Sequence, residues 1–140
     1  MAKELMEIGG FITEGAEIVN HDASLSGNGT VDSPLGTNVG NWTEVTNEIT
    51  KSTALVQAGA WYFYYNKALK LIHIIGENRV VGQGDAYELP LKYRPLKHFV
   101  INNPAGAYFI DYNNDTGKFV SRSGTNGYFS VALTLPCVGE

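Results

Sequence analysis

The segment from residue 22 to residue 36 limits the fold most strongly, because it combines many turn residues with very few apolar side chains. It contains two turn motifs, glycine-asparagine-glycine and serine-proline, and the side chains it could bury are those of Leu25, Val31 and Leu35. Ordering about 15 residues costs roughly 1–2 kcal/mol for each backbone, whereas burying one apolar side chain returns only about 1.5–3 kcal/mol. The segment is therefore a flexible linker, or it is ordered by other copies of the chain or by another protein.

The order of residues in this segment is specific. From Leu25 to Leu35 the chain follows the pattern L-x-G-x-G-T-x-x-S-P-L, and in this it resembles an element of bacteriophage fibre proteins. In that family the element lies in the shaft or shoulder, where three chains wind together. The resemblance implies a homotrimeric fibre or decoration protein of a virion, with Leu25, Val31 and Leu35 in a short intertwined trimeric neck over residues 21–41.

A second resemblance lies at residues 89–95. Pro90 and Pro95 exclude a central strand there, and the residue before each proline is held extended. The pattern L-P-x-x-Y-R-P resembles a corner in the C-terminal β-domains of phage fibre and baseplate proteins. We expect a bend between sheets, with Tyr93 as a core residue or a hydrogen-bonding cover and Arg94 as a candidate ligand contact.

From residue 42 onward, short apolar runs alternate with turn residues. Strands are predicted at 42–46, 53–58, 60–66, 69–75, 79–82, 86–89, 97–102, 106–112, 117–122 and 127–135. In the last of these, Phe129, Val131, Leu133 and Leu135 share one face, whereas the strand at 69–75 is apolar on both faces and is predicted to be central. Turn composition predicts hairpins at 113–117 and 123–127. The pattern indicates an all-β fold, with an antiparallel β-sandwich or jelly-roll-like domain over residues 42–140.

Residues 1–20 contain too few apolar side chains for a separate core. Leu5 and Ile8 are spaced for one helical turn, and Phe11 and Ile12 favour a short extended piece. We interpret this segment as an N-terminal arm that docks on a phage capsid or tail protein; the alternative is a frayed terminus. The sequence shows neither a signal peptide nor an apolar run of the roughly 20 residues that cross a bilayer, so membrane insertion is not expected.

Charge and cysteine content restrict the partners. The net charge is −4, which argues against a protein built to hold nucleic acid. Residues 1–50 carry one lysine against eight carboxylates, and residues 51–140 carry nine basic against six acidic residues, so the two parts have opposite net charge. Cys137 is the only cysteine, which excludes an intrachain disulfide and fits assembly in a reducing host cytoplasm before incorporation into a virion.

Catalytic and metal-binding patterns are missing from the sequence. His21, His73 and His98 do not have the spacing of metal ligands, and His73 is interpreted as a satisfied residue of the sheet. Cys137 has no base near it in sequence. Neither a nucleophile elbow nor a phosphate-binding loop is present. We therefore predict a protein that is not an enzyme, with no catalytic residue, no metal and no cofactor.

An aromatic run at residues 61–65 places large rings on both faces of one strand. One face must pack in the core, and the other suits a trimer interface or a platform for sugar rings. The candidate glycan contacts are Trp61, Tyr62, Tyr64, Tyr112 and Arg94. Four functions stay open: a capsid decoration spike, a tail protein that recognises a bacterial surface polysaccharide, a glycan-degrading enzyme, and a monomeric carbohydrate-binding module.

Overall fold

The computed structural model describes Asn20, residues 25–37 and residues 41–140. The expected docking residues Leu5, Ile8, Phe11 and Ile12 lie outside the described residues. The strands are Leu25–Ser26 (β1), Gly36–Thr37 (β2), Thr43–Glu44 (β3), Thr50–Lys51 (β4), Val56–Asn66 (β5), Leu71–Val81 (β6), Gly84–Glu88 (β7), Phe99–Asn102 (β8), Phe109–Asn113 (β9), Lys118–Ser121 (β10) and Asn126–Pro136 (β11). Short 3-10 helices span Thr46–Glu48 and Leu91–Tyr93, and the described part of the chain contains no α-helix. Within those residues, no helix has the length and apolar character needed to cross a membrane.

The contacts divide the chain into two units, Met1–Val39 and Gly40–Glu140. In the first unit, residues 25–37 form a small hairpin, in which β1 pairs with β2. The amides of Asn28 and Gly29 donate to the carbonyl of Ser33 at 2.9 and 3.0 Å, and the amide and hydroxyl of Thr30 donate to Oδ1 of Asn28 at 3.1 and 2.7 Å. We refer to residues 25–37 as the neck hairpin.

The sequence predicted turns in the neck hairpin but not the pairing of its ends, because side-chain burial carries no information on the hydrogen bonds inside the loop. Each such bond contributes only about 0.5–1.5 kcal/mol net, which leaves most of the ordering cost without compensation. Val31 is 98% exposed and Leu35 is 46% exposed. The association of copies at this hairpin therefore stays a prediction.

The second unit contains two antiparallel sheets that pack together. The long sheet has four strands in the order β11-β6-β5-β3, and the short sheet has five in the order β4-β7-β10-β9-β8. Apolar side chains of both sheets form one core, whose largest buried members are Trp61, Phe63, Ile72, Ile74, Phe129, Leu89, Ile110, Tyr112 and Phe119. The predicted all-β, sandwich-like fold is confirmed.

The long sheet follows the alternation of the sequence. β11 pairs with β6 from Asn126 to Pro136, and its Phe129 and Val131 are buried while Leu133 and Leu135 pack against the core. β6 lies between β5 and β11, as its apolar character on both faces predicted.

Two predicted strand breaks are wrong. The sequence separated 53–58 from 60–66 and 69–75 from 79–82, whereas β5 and β6 each run through these gaps for 11 residues. The register of β5 shifts between Val56 and Gly59. Gly59 has a φ of +78°, and a Cβ built there would lie 2.2 Å from the carbonyl oxygen of Glu77. Glycine therefore marks an irregularity inside a long strand, not its end.

Replacing Gly59 by alanine is expected to destabilise the domain by roughly 2–5 kcal/mol, because left-handed backbone strain and overpacking against β6 add together. Gly124 is the matched control, since its φ is +80° and nothing lies within 4 Å of its built Cβ. Gly124→Ala should lower the free energy of unfolding only through the left-handed backbone strain, by roughly 1–2 kcal/mol. Urea unfolding of both variants measures the loss of unfolding free energy. Equal losses would show that the close approach of the neighbouring backbone to Gly59 is unimportant.

The connections follow the prediction in one case and depart from it in two. Residues 113–117 join the paired strands β9 and β10, as expected. Residues 123–127 do not form a hairpin, because β10 belongs to the short sheet and the next strand, β11, to the long sheet. The corner at 89–95 is not a bend between sheets either, since β7 and β8 lie in the same sheet. Turn composition indicates that the chain reverses, but not which sheet it enters next.

The corner nevertheless touches the end of the long sheet. Pro95 forms an isolated bridge with Cys137, and the amides of Val138 and Gly139 donate to the carbonyls of Arg94 and Lys92 at 3.0 and 2.9 Å. The corner therefore holds the chain that follows β11 in place.

Tyr93 fulfils its prediction in this corner. Its ring is 2% exposed, and its hydroxyl donates to Oε1 of Glu48 at 2.8 Å. Burial and the neighbouring Glu48 raise the pKa of Tyr93. The hydroxyl therefore stays protonated and continues to donate this hydrogen bond.

Candidate functional site

Two of the predicted glycan contacts are buried in the core, so their assignment was wrong. Trp61 is 1% exposed; its Nε1 donates to the carbonyl of Phe129 at 3.0 Å, and its ring stacks on Tyr87 at 4.9 Å. Tyr112 is fully buried, and its hydroxyl donates to the carbonyl of Pro95 at 3.1 Å. Both side chains lie on the inward face of their strands, where a surface ligand cannot reach them.

Arg94 has a structural role in the corner. Its Nε donates to the carbonyl of Leu89 at 2.9 Å, and its Nη1 lies 3.3 Å from the carbonyl of Asp115, to which it donates. These bonds tie the corner to the turn between β9 and β10. The guanidinium is thus engaged by backbone carbonyls, which explains the arginine without a ligand.

Tyr62 and Tyr64 differ from Trp61, because they lie on the outer face of the long sheet. Tyr62 is 46% exposed and stands opposite Ile75, which is 41% exposed. Tyr64 is half-buried and stands opposite His73. The structure therefore leaves these two of the five predicted contacts in position to meet a ligand.

Pairing brings one side chain from each strand of the long sheet into a single row. Glu44 of β3 is opposite Tyr64, Tyr64 is opposite His73, and His73 is opposite Thr134 of β11. Directly opposite residues of an antiparallel pair share a face and lie about 4.5–5.5 Å apart at Cβ. The row therefore crosses the whole outer face of the sheet.

A shallow cleft of about 300 Å³ opens along this row and is lined by Trp42, Tyr64, His73 and Thr134. We refer to these four residues as the aromatic cleft. The rings of Trp42 and His73 meet edge-on at a centroid distance of 6.1 Å, and Tyr64 is tilted against the same imidazole at 6.3 Å. Nδ1 of His73 and the hydroxyl of Thr134 share a hydrogen bond of 2.8 Å. The imidazole is thus fixed in place by its neighbours on both sides.

The sequence missed Trp42, His73 and Thr134 as partners of Tyr64. Trp42 was placed in a predicted strand, and His73 was interpreted as a satisfied residue of the sheet. The hydrogen bond to Thr134 supports this interpretation for Nδ1 of His73 only. Alternation shows which residues share a face of one strand, but it carries no information on cross-strand register. No local signal in the sequence joins residues 64, 73 and 134.

The titratable groups that line the cleft are the imidazole of His73 and the phenol of Tyr64. The lining contains no lysine, arginine, aspartate or glutamate, and no group of three or more histidine, cysteine or acidic side chains is arranged for a metal within the described residues. Burial raises the pKa of the Cys137 thiol to about 11 and that of the Tyr87 hydroxyl to about 12. Both groups are therefore protonated near neutral pH and are not activated nucleophiles. What the cleft offers is aromatic surface and hydrogen bonding.

Comparison with protein-family models, with curated proteins and with solved structures found no match.

Proposed function

We propose that this chain is a non-enzymatic structural protein of a bacteriophage virion. Three copies form a fibre or decoration spike that is anchored to the particle by its N-terminal arm and displays the β-sandwich. The observation that carries the proposal is the neck hairpin, which leaves Val31 98% and Leu35 46% exposed although it has few other apolar side chains. Association of three hairpins would remove these side chains from water.

The anchor is the second element of the proposal. Leu5, Ile8, Phe11 and Ile12 supply the apolar contacts of the arm with the particle. In this proposal the capsid is the favoured site of attachment, and the tail is the alternative. Three linked β-domains would raise the apparent affinity for a repetitive surface without any new type of contact.

The mass of the assembly tests the proposal most directly. Native mass spectrometry of the full chain should give a species three times the 15.2 kDa of a single chain. A species of 15.2 kDa at micromolar concentration would overturn the spike. Gold-labelling of the arm on purified particles then separates the sites of attachment, because label restricted to the tail excludes the capsid.

The alternative is a tail-fibre or baseplate protein that recognises a bacterial surface polysaccharide. The aromatic cleft favours it, since exposed tryptophan and tyrosine beside hydrogen-bonding groups are suited to sugar rings. Both versions are virion proteins assembled in the host cytoplasm, and neither requires a cofactor.

A further inference from the structure

We infer that the aromatic cleft is a binding site for a neutral saccharide. The inference gives the receptor-binding alternative its ligand class and its residues, and it does not require the trimer. Trp42, Tyr64, His73 and Thr134 form the site, and Glu44 marks its acidic border.

The exposed rings are the first argument. Trp42 is 37% exposed at the entrance of the cleft, although tryptophan is usually among the well-buried residues. Its ring meets that of His73 edge-on, and the exposed part of the indole is open to other partners. The faces of aromatic rings carry negative charge density and attract weakly positive C–H groups. The C–H face of a sugar ring presents such groups in one plane.

The hydrogen-bonding atoms are the second argument. Because Nδ1 of His73 is bound to Thr134, Nε2 is the remaining polar atom of the ring, and it has no partner among the described residues. Nε2 is a donor in one tautomer and an acceptor in the other. A sugar hydroxyl both donates and accepts, so it satisfies Nε2 in either case. A quaternary ammonium has no hydrogen-bonding group and would leave this atom unused.

Charge is the third argument. No cationic side chain lines the cleft, and the nearest charge in the row is the exposed carboxylate of Glu44, opposite Tyr64. An anionic saccharide would meet this carboxylate without compensation. A neutral saccharide can instead use it as an acceptor for hydroxyl groups.

The surface beyond Glu44 extends the site. A polar depression of about 400 Å³ is lined by Glu44, Thr46 and Asn47. Glu44 belongs both to this depression and to the cross-sheet row that contains Tyr64 and His73. A saccharide longer than one residue would therefore run from the aromatic rings toward amide and hydroxyl groups.

Intrinsic tryptophan fluorescence can report binding at the aromatic cleft. Of the two tryptophans, Trp61 is buried and Trp42 is exposed. Neutral oligosaccharides of glucose, galactose and N-acetylglucosamine are titrated into the full chain, with polygalacturonate as the anionic probe and tetramethylammonium as the cationic probe. We expect at least one neutral oligosaccharide to change the fluorescence of Trp42 saturably and to protect it from acrylamide quenching.

Calorimetric titration of variants then locates the site. Trp42→Ala should weaken binding by about tenfold or more, because the stacking surface is lost, and Thr134→Val should weaken it several-fold by releasing His73. Tyr128→Ala is the matched control, since Tyr128 is 48% exposed on the same face of β11 but lies about 20 Å along the strand from Thr134. Its binding should equal that of the unmodified chain.

Three results would overturn the inference: no saturable binding across the neutral panel, binding of tetramethylammonium or polygalacturonate alone, or neutral binding that Trp42→Ala leaves unchanged. Native mass spectrometry of the same samples separates this test from that of the spike. A trimer that binds no sugar refutes only the saccharide site, whereas a monomer that binds through Trp42 refutes only the spike.

Discussion

Replacing Trp61 by alanine is expected to lower the free energy of unfolding by about 3–5 kcal/mol, the usual loss for a buried tryptophan. The ring stacks on Tyr87 at 4.9 Å and meets the edge of Phe119 at 5.5 Å. The substitution opens a cavity between the two sheets, and it also leaves the buried carbonyl of Phe129 without the Nε1 donor. Since small domains are stable by only about 5–15 kcal/mol, the variant should be close to its unfolding threshold.

Chemical denaturation followed by circular dichroism measures this loss. Trp42→Ala is the matched control, because the same side chain is removed from an exposed position, and it should lose less than about 1 kcal/mol. Trp61→Phe removes the donor but keeps most of the aromatic packing, so its loss of unfolding free energy should lie between those of the other two variants. It can be measured even if Trp61→Ala does not fold. Equal losses at positions 42 and 61 would contradict the described core.

Placing aspartate at both Val31 and Leu35 is expected to convert the trimer into single chains of 15.2 kDa. Both side chains are exposed in the hairpin of one chain, so the substitutions should leave its local hydrogen bonds intact. In a trimer, six added carboxylates would gather around one axis and replace apolar contacts by desolvated like charges. The thermal transition of the β-domain should change little.

The matched control places the same charges on two exposed leucines of the β-domain. Leu91 and Leu96 are 62% and 52% exposed, and Leu91→Asp with Leu96→Asp should remain trimeric. Native mass spectrometry at one protein concentration compares the two double variants. Should the Leu91 and Leu96 variant dissociate while the hairpin variant stays associated, the copies would meet through the β-domain and the neck assignment would fail.

The sequence predicted most strands of the domain, because alternation is a local signal. Phe129 and Val131 face the core as expected, and β6 is central as its two apolar faces required. The strand breaks at Gly59 and Gly76 were predicted wrongly, because the sequence does not distinguish a glycine in a turn from a glycine inside an irregular strand. Both glycines have positive φ angles and lie close to the backbone of the neighbouring strand, and only the fold supplies that neighbour.

The candidate site was less accessible to sequence reasoning. Alternation separates Trp61 from Tyr62 and Tyr64, yet it does not say which face is the core, so all three were proposed as glycan contacts. The short sheet determines which face of β5 is the core face, because its Tyr87 stacks on Trp61. The partners of Tyr64 are likewise set by register between strands that are far apart in the chain. Such contacts follow from the complete sheet and from no single segment.

The pairing of β6 with β11 has a consequence for how the protein is made. β6 is complete at residue 81, but its second edge is covered only when residues 126–136 have been synthesised. At the usual 5–20 residues per second, the nascent chain spends seconds with that edge and the apolar face around Ile72 and Ile74 open to other polypeptides. Chains that terminate in this interval would keep that edge and that face uncovered, so truncation before residue 126 should favour aggregation over soluble product.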